Sequence, residues 1–169
     1  DQGIGAVRAL LSAKQRPVGW AERRERIEEV GSAWPVAGDI ALEPVDAGGV
    51  TAEWSLAPGA DASRVLLFLH GGGYCSGSIT SHRDLATEAG RAAGVRTLAV
   101  AYRLAPEHPY PAALDDALTA WRWLRAQGFS PDRIVVGGDS AGGGLALALW
   151  QSLRRAGEAR PACLWLVSP

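Results

Sequence analysis

One stretch constrains this chain more than any other. Ile134-Val135-Val136 is a short β-branched run, followed by Gly137-Gly138-Asp139-Ser140-Ala141-Gly142-Gly143-Gly144 and then the apolar helix former Leu145-Ala146-Leu147-Ala148-Leu149-Trp150. The pattern reads as strand, sharp turn, helix, with Gly138-x-Ser140-x-Gly142 at the turn. A serine lifted off the end of a sheet in this way needs a strained backbone. Side chains two residues before or after it would strike the neighbouring strand or helix, which accounts for glycine at both places. The helix that follows aims its N-terminal N–H groups at the serine and favours negative charge there. This is the arrangement of a nucleophile elbow. Taken alone it is equally a tight turn carrying a solvated serine.

A second stretch separates those two readings. Val65-Leu66-Leu67-Phe68-Leu69 is another strand of the buried type, and it ends in His70-Gly71-Gly72-Gly73-Tyr74. Consecutive glycines leave backbone N–H groups uncovered, so a ligand oxygen can approach them. Such a loop supplies oxyanion-hole donors in esterases, together with the N–H of the residue after the nucleophile. The donors here are Gly72, Gly73 and Ala141, and the nucleophile is Ser140.

Three motifs, His70-Gly71-Gly72-Gly73, Tyr102-Arg103-Leu104-Ala105-Pro106-Glu107-His108 and Gly138-Asp139-Ser140-Ala141-Gly142-Gly143, resemble in sequence, order and separation the bacterial hormone-sensitive-lipase-like family of α/β-hydrolases. The resemblance runs from about Ala41 to Pro169. It implies an α/β-hydrolase fold: a mostly parallel central sheet, helices on both faces and an N-terminal helical cap segment. It divides the chain into cap helices over residues 1–38 and a hydrolase core over 39–169. In the family, the strand at Leu164-Trp165-Leu166-Val167 is followed by further strands and helices. The expectation is therefore that the C-terminal part of the fold is absent and that the chain is a piece of a longer hydrolase. The implied activity is that of a serine carboxylesterase, acting on short-chain acyl esters through an acyl-enzyme. An amidase or lactonase would use the same parts. The plant gibberellin receptors, which also resemble this family, supply the alternative of a non-catalytic protein that binds a small ligand on the same scaffold.

Composition narrows the partners. A net charge of −1 argues against nucleic acid, and against an anionic membrane surface, as the main partner. No apolar run approaches a bilayer span, and the N-terminus lacks the layout of a signal peptide. The expected partner is a small ester substrate; a homodimer is left open. Two cysteines, Cys75 and Cys163, lie far apart, which disfavours a disulfide framework and makes the cytoplasm the default location. No Cys/His spacing suits a metal, and the glycine loops lack the lysine of a phosphate-binding loop, so no cofactor is expected.

Apolar spacing predicts helices over residues 3–14 and 20–30. Residues 40–45 and 50–56 read as strands joined by the turn Asp46-Ala47-Gly48-Gly49, and Pro58-Gly59-Ala60-Asp61 as a second turn. Strands follow at 65–69, 95–101, 134–137 and 162–167. Between them lie a helix capped by Thr80 or Ser81 and closed by Gly94, and a helix over 112–127 started by Pro111. Alternating strands and helices imply a parallel sheet, with ligands bound at the carboxyl ends of its strands.

A serine needs a base to take its proton, and that base needs a carboxylate to hold it. In this fold both follow the serine in the chain. The three histidines, His70, His82 and His108, all precede Ser140, and none is well placed as the base. The expected role of His70, with Gly71, is to support the oxyanion loop. Downstream of Ser140 the one acidic side chain is Glu158, which reads as a surface residue. Asp139, Asp115 and Asp116 read as structural. Tyr74 reads as lining the substrate pocket or as an ordinary core tyrosine, and Cys75 as a small buried residue.

Overall fold

The computed structural model describes residues 2–13 and 15–169. Its strands are β1 (Ala41–Asp46), β2 (Thr51–Leu56), β3 (Asp61–Leu69), β4 (Val95–Val100), β5 (Ile134–Asp139) and β6 (Cys163–Val167). They form one sheet in the order β1-β2-β4-β3-β5-β6. β2 runs antiparallel to β1 and β4, and the pairs β3–β4, β3–β5 and β5–β6 are parallel.

The order follows from the side chains. Val65 to Leu69 offers no polar position, and all five residues are buried. Only a central strand covered on both faces accommodates such a run. Alternate residues face opposite layers. Val65, Leu67 and Leu69 join Leu98 and Val136 beneath α4 (Ala112–Ala126) and α5 (Ala141–Ala156), whose Trp121, Leu124, Leu145 and Leu149 complete the larger core. Leu66 and Phe68 face the other way, with Ala86 and Ala89 of α3 (Arg83–Ala93) and Trp165.

Several boundaries differ from the sequence reading. The β1–β2 turn sits one residue later, at Gly48-Gly49, closed by Ala47 N–H donating to Val50 O at 2.8 Å. Both glycines have positive φ (79° and 93°), which matches the twist of the flanking strands. β3 begins at Asp61 rather than at Val65, because Asp61 N–H bonds to Gly94 O. Neither Thr80 nor Ser81 caps a helix: Thr80–His82 is a 3-10 turn, and α3 starts after it without a side-chain cap. Gly94 does close α3, in the left-handed conformation.

N-terminal to the sheet lie α1 (Gln2–Ser12) and α2 (Trp20–Gly31). Asp1, and Lys14 at the expected end of the first helix, lie outside the described residues. The carboxylate of Glu22 accepts from Val18 N–H at 2.8 Å and so starts α2. α2 buries no residue, yet it packs on the turn at residues 80–82, where Gly31 approaches the Ser81 backbone too closely for a Cβ. Among the described residues no helix is long and apolar enough to cross a membrane.

Candidate active site

β5 ends at Asp139 and α5 begins at Ala141, leaving Ser140 alone at the turn. Ser140 is exposed, with φ 49° and ψ −122°, a conformation costing a non-glycine residue about 1–3 kcal/mol. Its neighbours hold it there. Ser140 N–H donates to Val167 O at 2.8 Å, and its carbonyl accepts from Gly144 N–H at 3.1 Å. The flanking glycines are a steric requirement. A Cβ on Gly138 or on Gly142 would run into the carbonyl of Leu69, at the end of β3. The elbow thus closes down on the central strand, and the N-terminus of α5 faces the space above the serine.

The loop after β3 shares that space. Gly72 and Gly73 have φ of 123° and 64°. Gly72 O accepts from Cys75 N–H at 3.2 Å and from Ser76 N–H at 3.0 Å, so the loop folds back on itself. Among the described residues, no protein group accepts from Gly72 N–H or Gly73 N–H. Ala141 N–H, at the first position of α5, has no partner within the helix. At Gly72 the glycine serves more than ligand access: a Cβ would strike the Ser76 carbonyl.

Asp139 ties the two parts together. One of its oxygens accepts from Gly71 N–H at 2.9 Å, and the other lies 3.2 Å from His82 Nε2. His82 Nδ1 in turn lies 2.8 Å from the Ser81 hydroxyl. Burial opposes charge on Asp139, but the hydrogen bond and charge of His82, together with the Gly71 N–H, outweigh it and hold the carboxyl below its ordinary range. The residue before Ser140 is therefore a strut to the glycine loop.

His70 lies beneath the same loop. Only 2% of it is exposed, and burial pushes its pKa down to about 4, so the ring is neutral at pH 7. Nδ1 is 2.8 Å from Gly71 O, and since a carbonyl only accepts, Nδ1 carries the proton. The ring stacks on Tyr102 at 4.2 Å, and the Tyr102 hydroxyl donates to His70 O at 2.6 Å. Among the described residues none makes a side-chain hydrogen bond to the Ser140 hydroxyl. His70 and His82 are committed to the loop and to Asp139, and His108 is exposed in the loop after β4 without a hydrogen bond to Ser140.

Tyr74 is 39% exposed and therefore not a core residue. With His108, Tyr110, Leu114, Leu145 and Ala148 it lines a largely apolar cavity of about 320 Å³, and its hydroxyl packs over Gly144 in the first turn of α5.

A family model described as the alpha/beta hydrolase fold matches residues 66–169, which contain both the glycine loop and the elbow. The chain belongs to the α/β-hydrolase family. Its relatives place it among the hormone-sensitive-lipase-like members. An acetyl-hydrolase of Streptomyces hygroscopicus is 44% identical over 157 residues, covering 89% of this chain and 52% of that protein. An ethyl acetate hydrolase of Pseudomonas putida is 50% identical over 96 residues, covering 54% and 30%. The crystal structure of an esterase from the bacterial hormone-sensitive lipase family superposes with a TM-score of 0.90 at 44% identity, over 98% of this chain and 57% of that one. The chain thus spans about half the length of the curated relatives it matches.

Within this α/β-hydrolase, the remaining residues singled out from sequence are placed as follows. Asp116 is buried and holds the Arg103 guanidinium at 2.8 Å, while Asp115 lies in the first turn of α4. Glu158 pairs with Arg122. Cys75 is half-buried and Cys163 exposed, neither in a disulfide, and no metal-binding cluster is found among the described residues. Sequence reasoning missed the partnership of His82 with Asp139. The two are 57 positions apart, and nothing local to either announces the other.

Proposed function

We propose that this chain carries the nucleophile and oxyanion-binding part of a serine carboxylesterase that hydrolyses short-chain acyl esters. The observation that carries the reading is the exposed, strained Ser140 set between the N-terminus of α5 and the unengaged N–H groups of Gly72 and Gly73. Ser140 Oγ attacks the ester carbonyl and loses its proton to a histidine base. The N–H groups of Gly72, Gly73 and Ala141 receive the oxyanion, a contribution of about 10²–10³ in rate for each donor. The intermediate collapses with loss of the alcohol, and water then releases the acid from the acyl-enzyme. His70, Gly71 and Asp139 hold the oxyanion loop. The base and its carboxylate are proposed to come from the part of the protein that its longer relatives possess and this stretch does not span.

The short-chain preference rests on the names of the relatives, an acetyl-hydrolase and an ethyl acetate hydrolase, and on the modest cavity beside Tyr74. Residues 1–38 are proposed as a cap on the core formed by residues 39–169. Two unpaired cysteines support a cytoplasmic location. The choice between monomer and homodimer is open, and sedimentation distinguishes them.

The test uses the full-length protein with a fluorophosphonate probe and with nitrophenyl acetate as the ester. Peptide mapping is expected to place the adduct on Ser140, and Ser140→Ala is expected to lower turnover by about 10⁴ or more. Labelling elsewhere with Ser140 clean would end the assignment. A labelled Ser140 with faster turnover of an amide or a lactone would keep the nucleophile and change the substrate class.

A further inference from the structure

One side chain of the N-terminal helices reaches the loops of the proposed site. Arg24, on α2, donates from Nε to Cys75 O at 2.8 Å and from an Nη to Ala105 O at 3.0 Å. Its two Nη atoms also bond the carboxylate of Glu107, at 3.0 and 2.7 Å. The planar fork of a guanidinium spreads its donors over three nitrogens in fixed directions, whereas an ammonium presents its three donors from a single nitrogen. The Arg24 hydrogen bonds hold the Glu107 carboxyl down at about 2, so it is ionised at neutral pH.

The two carbonyls belong to two different loops. Cys75 lies in the turn that Gly72 O closes, two residues after Gly73. Ala105 lies in the loop after β4, and its N–H donates to Tyr74 O at 2.9 Å. Arg24 therefore sits where these loops are stitched together and bonds the carbonyl on each side of the stitch. The 71–76 loop is held from β5 by Asp139 at Gly71 and from α2 by Arg24 at Cys75. The two glycines with unengaged N–H groups lie between these anchors.

We infer that Arg24 is a positioning residue for the oxyanion loop: α2 is joined to the core at the carbonyls of Cys75 and Ala105 and fixes the Gly72 and Gly73 donors from the end of the loop that Asp139 does not hold. The inference rests on the reading of Ser140 as nucleophile. Donors of this kind work only when aimed where charge develops, and a displacement of about 1 Å costs on the order of 10² in rate.

The experiment compares Arg24→Ala and Arg24→Lys with the parent in the full-length protein. Active sites are counted by fluorophosphonate titration, so that kcat is expressed per competent Ser140, and KM is measured with nitrophenyl acetate. Arg24→Ala is expected to lower kcat per titrated site about tenfold, with KM within about threefold. Arg24→Lys, which can reach one loop but not both, should fall between. A loss below about threefold, or a change confined to KM, overturns the inference. So do fewer titratable sites each turning over at the parent rate, the mark of a merely structural role. A parent protein whose Ser140 takes no probe would instead break the nucleophile reading itself.

Discussion

The central strand and the N-terminal helix α2 approach the same glycine loop from two sides, and they are held by opposite means. β3 delivers His70 to the loop on five consecutive buried apolar residues. α2 buries none, and it is held by Arg24 on backbone carbonyls and Glu107, and by the seat of Gly31 on the Ser81 backbone. Apolar burial fixes β3 in place without specifying direction, because any close-packed neighbour would serve. The ties of α2 are few and directional, and the pair with Glu107 is exposed to solvent. The proposed nucleophile, Ser140, thus rests on an apolar floor, whereas one of the two anchors of the glycine loop belongs to a segment held by polar contacts.

The largest expected difference is in stability. Leu149 of α5 is fully buried in the larger core, while Ile27 of α2 is half-buried over a shallow hollow shared with His82 and Asp139. Leu149→Ala should cost about 2–5 kcal/mol in urea unfolding. Ile27→Ala should cost about 1 kcal/mol or less. Equal losses would make α2 part of the core and erase the distinction.

Acid should weaken the apolar side at His70. His70 is buried with its pKa lowered to about 4, because burial disfavours the charged ring. The unfolded chain therefore binds more protons than the native one as the pH drops below the ordinary histidine value. Stability is complete above that value, falls with acidification, and stops falling below about pH 4. By about pH 5 the loss should be on the order of 2 kcal/mol. The measurement is unfolding free energy against pH for the parent and for His70→Gln. The parent should lose more on acidification than the variant, and parallel curves would mean that His70 is not held neutral.

What was legible in the sequence divides along the same line. The unbroken apolar run Val65 to Leu69 and the helix-forming run after Ser140 announce a buried strand and a packed helix, because burial constrains the residue types of the segment itself. Gly138 and Gly142 were legible too: the obstacle is the distant Leu69 carbonyl, but the crowding leaves its mark as glycines at fixed places around Ser140. The pairing of His82 with Asp139 and the reach of Arg24 to Cys75 and Ala105 were not. A single polar side chain has no period; the acceptors of Arg24 are backbone atoms that any residue could have supplied, and Asp139 lies 57 positions from His82. The helix cap expected at Thr80 or Ser81 is missing for a related reason. Ser81 spends its hydroxyl on Ser78 and His82 rather than on a helix end.

The smallest effect tests the polar side alone. Arg24 and Glu107 are 32% and 54% exposed, so mobile ions reach the pair, although the bonds from Arg24 to the two carbonyls are less sensitive to screening. Raising the salt to about 1 M shortens the screening length to about 3 Å. Amide exchange in residues 20–31 should then quicken by about two- to fivefold relative to low salt, the scale expected of an exposed ion pair. Amides of β3 and β5, held by sheet bonds within an apolar core, should keep their rates. Glu107→Gln should remove most of the salt response, because the pair being screened is gone while the carbonyl contacts remain. If α2 exchanges at the same rate at both salt concentrations in the parent, the contacts of Ile27 and Val30 hold it, and the helix is joined to the molecule by the same means as the sheet.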